Sequence, residues 1–165
     1  MRLYVMRHGP AEDRASSGRD FDRQLTPAGR EVVQRVADAF QRARAEREAS
    51  AQPLRILTSP RARAQETAAI LRGALGPVPR EIEIANELGG ETAIPLSLIA
   101  EATTSGVDTV LVGHQPVVEE LVKQLLGSTP KHLAFATATV VGLSWTADGG
   151  TWTLVEHLDP SRLPG

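Results

Sequence analysis

Three short β-forming runs, Met1–Met6, Arg55–Thr58 and Thr109–Val112, are each followed by a polar break and then by a segment whose apolar residues recur at helical spacing. Strands that alternate with helices build right-handed βαβ units, so a mainly parallel sheet with helices on both faces is expected. Thr26-Pro27 reads as an N-cap followed by a first-turn proline, and Val32, Val33, Val36, Ala37 and Phe40 carry that helix to about Arg47. Ser59-Pro60 repeats the signal ahead of an apolar stripe of Ala64, Thr67, Ala68, Ile70, Leu71 and Leu75, which Gly76-Pro-Val-Pro79 stops. Glu81–Ala85 alternates with period two, as a half-exposed edge strand does, and Asn86–Thr92 follows as a loop. Pro95–Thr104 is expected as a third helix, and Pro116 opens a fourth that buries Val117, Val118, Leu121, Val122, Leu125 and Leu126. Ala136–Trp145 and Thr151–Leu158 read as strands joined by the hairpin signal Ala147-Asp-Gly-Gly150. The expected architecture is α/β: a three-layer α/β/α sandwich with a mainly parallel sheet and an antiparallel C-terminal hairpin at one edge, in a single domain over 1–165.

Composition narrows what such a domain does. Lys and Arg number 18 against 20 Asp and Glu, a formal charge of −2, so no bulk basic field attracts nucleic acid or an anionic membrane, and any anion binding is local. With no cysteine, disulfides, thiolate nucleophiles and Cys-based metal sites are excluded. No secretory leader pattern and no apolar stretch near ~18 residues is present, and a cytoplasmic protein is the expectation.

Chemistry concentrates where the strands stop. The first run ends in Arg7-His8-Gly9, the second in Ser59-Pro-Arg-Ala-Arg63 and the third in Gly113-His114-Gln-Pro116. In an open α/β sheet the ligand crevice lies outside the carboxyl ends of the strands, which brings these three motifs to one pocket. Arginine forks and helix N-termini suit phosphoryl oxygens, so a small tetrahedral dianion is the expected ligand. One histidine can attack phosphorus as neutral imidazole, while the other stabilises the equatorial oxygens. The sequence has neither a G-x-x-x-x-G-K-[ST] loop nor a paired-Asp magnesium motif, so a covalent route without metal or other cofactor is the simplest reading. A zinc hydrolase using His8 and His114 lacks an evident third ligand, and neighbouring arginines repel a cation. A non-catalytic phosphate-binding module is a further reading, since folds outlive activities.

At these residues the chain resembles the histidine phosphatase superfamily. Arg7-His8-Gly9 matches its RHG motif, and Leu25-Thr-Pro-Ala-Gly29, Ser59-Pro-Arg-Ala-Arg-Ala-Gln-Glu-Thr-Ala68 and Val112-Gly-His-Gln-Pro116 follow in the family's order. The resemblance implies a phosphoglycerate mutase-like fold, His8 as the phosphorylated nucleophile, Arg7 and Arg63 as phosphate-binding arginines and His114 as the second pocket histidine. Arg61 falls on a variable motif position and is expected at the rim or surface. The short length looks most like the SixA-type phosphohistidine phosphatases, implying as substrate a phosphohistidine borne by a protein. The alternative within the superfamily is a small phosphorylated metabolite, such as a sugar, nucleotide or cofactor-precursor phosphate. Larger members use a carboxylate as general acid, and Glu87, with Glu91 as second choice, stands where one can fall. His132 and His157 have no partner motif and read as surface or structural, and Ser59 and Thr26 read as helix caps, with no chemistry beyond a contribution of the Ser59 region to the pocket wall.

Overall fold

The computed structural model describes residues 1–47, 53–76, 81–90, 96–128, 133–146, 148 and 150–164. In chain order these form strand β1 (Arg2–Arg7), helix α1 (Pro27–Glu46), β2 (Leu54–Thr58), α2 (Ala62–Ala74), β3 (Ile82–Ile84), α3 (Leu96–Ser105), β4 (Asp108–Gly113), α4 (Val117–Leu126), β5 (Val140–Thr146) and β6 (Thr151–Leu158). The six strands make one sheet in the order β3-β2-β4-β1-β5-β6. β3, β2, β4 and β1 run parallel, while β5 lies antiparallel to both β1 and β6. The expected parallel sheet with an antiparallel hairpin is what forms, and the period-two run at 81–85 does supply the short edge strand.

Strand residues alternate between two cores. Tyr4 and Met6 of β1, with Ile56, Val110 and Val112, pack under Val33, Val36, Ala37 and Phe40 of α1 and Ala64, Ala68 and Leu71 of α2. Leu3 and Val5, with Leu57, Leu111, Val141 and Leu143, pack under Ile99 of α3 and Val118, Leu121 and Val122 of α4. β1 and β4, buried on both faces, therefore read as continuous apolar runs. At the amino ends of the strands the fully buried Arg44 pairs with Asp108 at 3.2 Å, and Asp108 also accepts the Arg2 backbone N–H at 2.7 Å.

Register aligns the carboxyl ends. Arg7 pairs with Gly113 across β1 and β4, and Thr58 with Val112 across β2 and β4. The backbone ladder continues one residue further, His8 N–H donating to Gly113 O at 3.0 Å and Ser59 N–H to Val112 O at 2.9 Å. Three motifs scattered over more than 100 positions thus emerge side by side from adjacent strands.

Local detail departs from the sequence reading in three places. Helix α2 starts at Ala62 with Arg61 as its cap residue and no capping side chain, so Ser59 is not its N-cap. Thr26, by contrast, caps α1 as expected, its hydroxyl accepting the Gly29 N–H at 2.9 Å. β5 begins only at Val140, because Ala138 adopts a left-handed φ of 67° and its N–H turns back to His8 O at 3.0 Å. The polar loop after β1 and the segment after β3 each contain a 3-10 turn, at Asp20–Asp22 and Asn86–Gly89. Pro77–Pro79, Glu91, Pro95, His132, Ala147 and Gly149 lie outside the described residues.

Candidate active site

Arg7, His8, Arg61, Arg63, Gly90, His114, Gln115 and Pro116 line a cleft of about 410 Å³ at the carboxyl edge of the sheet. All three strand-end motifs contribute, and the N-terminal ends of α2 and α4 both open there. The four expected site residues Arg7, His8, Arg63 and His114 come together. Glu87 does not join them: it sits exposed on the 3-10 turn Asn86–Gly89, outside the lining.

His8 is held in one tautomer. Its Nδ1 lies 2.7 Å from Gly9 O, an atom that only accepts, so Nδ1 carries the hydrogen and Nε2 keeps its lone pair. That lone pair receives the Arg63 Nε–H at 3.3 Å. The His114 ring stands beside it, centroids 4.9 Å apart and planes tilted by 52°. Burial, with the Arg63 and Arg7 charges nearby, pushes His8 down to about 4 against the opposing pull of the Gly9 carbonyl. Burial and then His8, Arg63 and Arg61 push His114 down to about 3. Both rings are therefore neutral at physiological pH, the state a nucleophile and a neutral hydrogen-bond donor require.

That depression is directly testable. The unfolded chain takes up protons on these rings near 6.5, whereas the folded chain refuses them until about 4 and about 3. Folding stability contributed by the neutral rings is complete above pH ~6.5 and falls progressively as the pH drops toward those folded values. Ring-proton NMR titration of the free protein is expected to find both midpoints well below 6.5, and a midpoint at 6.5 for His8 contradicts the burial argument.

The arginines are anchored before any ligand arrives. Arg7 Nη1 donates to Phe135 O at 2.7 Å, and its buried Nε has no partner among the described residues. Arg63, only 4% exposed, donates through Nη1 to Asp20 O at 2.8 Å and through Nη2 to the Asp20 carboxylate at 3.1 Å. Arg61, expected at the rim, lines the cleft, bonding Asp20 Oδ2 at 2.7 Å and Gly89 O at 3.2 Å. Arg23 reaches Asp20 Oδ1 at 2.7 Å. Hydrogen bonds from Arg23, then from Arg63, hold the half-exposed Asp20 carboxyl down to about 2.

Three residues of this arrangement escaped the sequence reading. Asp20 looks like one more charge in a polar loop. Ser59 looks like a helix cap, yet its hydroxyl lies 2.7 Å from His114 Nε2. Thr67 looks like a member of an apolar stripe, but its fully buried hydroxyl accepts the Gly9 N–H at 3.1 Å and donates to Arg63 O at 2.7 Å, tying α2 to the motif after β1. Thr67→Val keeps the shape and removes both bonds. Orphaning the Gly9 N–H is expected to cost about 1–3 kcal/mol in urea unfolding. A loss under about 0.5 kcal/mol would mean that Gly9 finds another acceptor.

Among the described residues no group of three or more His, Cys, Asp or Glu comes together as a metal site, and no helix is long and apolar enough to cross a membrane. The family model of the histidine phosphatase superfamily (branch 1) matches residues 3–89. The chain belongs to the histidine phosphatase superfamily. An uncharacterized protein of Picosynechococcus sp. is 37% identical over 145 residues, 87% of this chain and 84% of that one. Among solved structures, this histidine phosphatase is similar to the protein histidine phosphatase SixA complexed with tungstate, with 26% identity, a TM-score of 0.80 and coverage of 98% and 99% of the two chains. It is also similar to a putative phosphohistidine phosphatase SixA from Agrobacterium tumefaciens, with 27% identity, a TM-score of 0.74 and coverage of 96% and 97%. By family and by fold the chain is a phosphatase with a phosphoglycerate mutase-like architecture.

Proposed function

We propose that this phosphatase, acting as a single cytoplasmic domain without cofactor, removes phosphoryl groups from protein-borne phosphohistidine. The observation that carries the reading is the geometry of His8, whose bare Nε2 faces the side chain of Arg63 beside His114. In the first step Nε2 attacks phosphorus, a P–Nε2 bond forms, and the P–N bond to the substrate imidazole breaks with its electron pair passing to the leaving nitrogen. The Arg7 and Arg63 charges, with a hydrogen bond from the neutral His114 ring, stabilise the charge spread over the equatorial oxygens. Water then attacks phosphorus, a P–O bond forms as the P–Nε2 bond breaks with its electron pair returning to His8, and the proton of the water leaves on the inorganic phosphate.

Proton demand favours phosphohistidine over an ester. An alkoxide must be protonated as it leaves, whereas a phosphohistidine already protonated on its distal ring nitrogen departs as neutral imidazole. No carboxyl group lines the cleft among the described residues, and Asp20 beside it is held ionised. The likeness to a protein histidine phosphatase over nearly the full length of both chains supports the same substrate class.

Trapping with a labelled phosphodonor tests the mechanism. An acid-labile, base-stable phosphoenzyme is expected, and turnover without one sinks the covalent route. Substrate class is tested by comparing kcat/KM for a phosphohistidine protein with that for a panel of sugar and nucleotide monoesters. A preference of at least about 100-fold for the former is expected from a cleft whose described lining offers no carboxyl group as acid. Equal or better turnover of an ester assigns the chain to a small phosphorylated metabolite instead.

A further inference from the structure

We propose that Ser59 is a positioning residue that locks His114 as its Nδ1–H tautomer, so that the ring presents an N–H to the phosphoryl group. The inference rests on His114 being the second phosphate-pocket histidine and adds to that role the group that sets its hydrogen.

The argument is one of donors and acceptors. Ser59 is fully buried, and among the described residues its Oγ has two hydrogen-bonding neighbours, the Arg61 backbone N–H at 3.3 Å and His114 Nε2 at 2.7 Å. The Arg61 N–H can only donate, so Oγ is already an acceptor there. If His114 Nε2 also carried a hydrogen, Oγ would accept twice and its own hydroxyl hydrogen would be buried without a partner. If instead Ser59 O–H donates to a bare Nε2, all three groups are satisfied, and the ring hydrogen moves to Nδ1. His114 Nδ1 is the buried ring atom left with no partner among the described residues, and His114 lines the cleft. As an N–H it is an unfilled donor that a phosphoryl oxygen completes; as a bare lone pair it would meet that oxygen with like charge. Satisfaction of the serine and complementarity to the ligand thus select the same tautomer.

The surroundings keep the ring neutral, so the tautomer matters. His8, Arg63 and Arg61 all press His114 toward its uncharged form, and burial does so more strongly still. A neutral imidazole has one hydrogen to give, and its position decides whether the ring helps or opposes an anion.

The experiment is ¹⁵N NMR of the His114 ring in the folded, ligand-free protein at pH 7, with tungstate affinity measured by calorimetry. Wild type is expected to show a protonated Nδ1 and a bare Nε2. Ser59→Ala is expected to shift the ring toward the Nε2–H form and to weaken tungstate binding about tenfold, the worth of one well-placed donor to a charged group. A protonated Nε2 in wild type overturns the proposal whatever the variant does. So does a Ser59→Ala protein with unchanged tautomer or unchanged tungstate affinity. Because the wild-type spectrum needs no substrate, failure here is distinct from failure to trap a phosphoenzyme.

Discussion

His8→Asn is expected to lower turnover by at least about 10⁴-fold and to abolish the trapped phosphoenzyme, with the fold intact. Asparagine suits the test because its side-chain amide can take the place of His8 Nδ1 as donor to Gly9 O, the bond now made at 2.7 Å. What it lacks is a second nitrogen where Nε2 stands, within 3.3 Å of Arg63 Nε. The variant therefore removes the atom proposed to attack while keeping the local hydrogen bond and the arginine scaffold. Residual catalysis by the remaining cations is the expected floor, since a site that still binds the anion retains part of its advantage over water. Single-turnover assays with a phosphohistidine protein, alongside urea unfolding, read the two effects separately. Activity above about 1% of wild type in a fully folded His8→Asn protein would remove His8 from the nucleophile's role.

Arg63→Ala carries the second largest effect, about 10³-fold in kcat/KM. Arg63 contributes twice over. Its guanidinium is nearly fully buried at the cleft wall, where a cation facing developing negative charge is worth far more than in water. It also donates to the His8 lone pair and so fixes the direction in which Nε2 points. Removing it is expected to raise the His8 midpoint from about 4, since the Arg63 charge is one of the forces lowering it, while burial keeps it below 6.5. Arg63→Lys restores charge but not the planar fork that spans His8 Nε2 and Asp20, so only partial rescue is expected. Full activity in Arg63→Lys would show that a point charge suffices there.

How much of this was legible beforehand depends on whether a contact is written in periodicity or in tertiary packing. The sheet with its hairpin followed from apolar runs and turn residues, because backbone hydrogen bonding and side-chain alternation repeat at fixed spacing. The meeting of Arg7, His8, Arg63 and His114 followed from topology, since parallel neighbours place their carboxyl ends together. Ser59, Thr67 and Asp20 were not legible. A serine before proline and a threonine within an apolar stripe have adequate local explanations, and only the packing of α2 across the strand ends turns their hydroxyls to His114 and Gly9. The turn at Ala138 was hidden because Ala136–Thr139 alternates small residues that suit extended and turn backbone equally. Nor does a carboxylate in a loop reveal that it reaches residues 41 and 43 positions away.

Asp20 changes what it means for this cleft to be empty. Its single carboxylate holds Arg61, Arg63 and Arg23 through both oxygens, so the guanidinium groups are never bare cations waiting in water. An incoming phosphoryl group therefore meets arginines that are already oriented, and whose charge is already partly offset, by one resident carboxylate. Against that background a monovalent ion without a fork-matching pair of oxygens adds little, whereas a tetrahedral dianion brings a second charge and a matching edge. In this sense the protein carries its own counterion, tethered beside the site by the loop that follows β1.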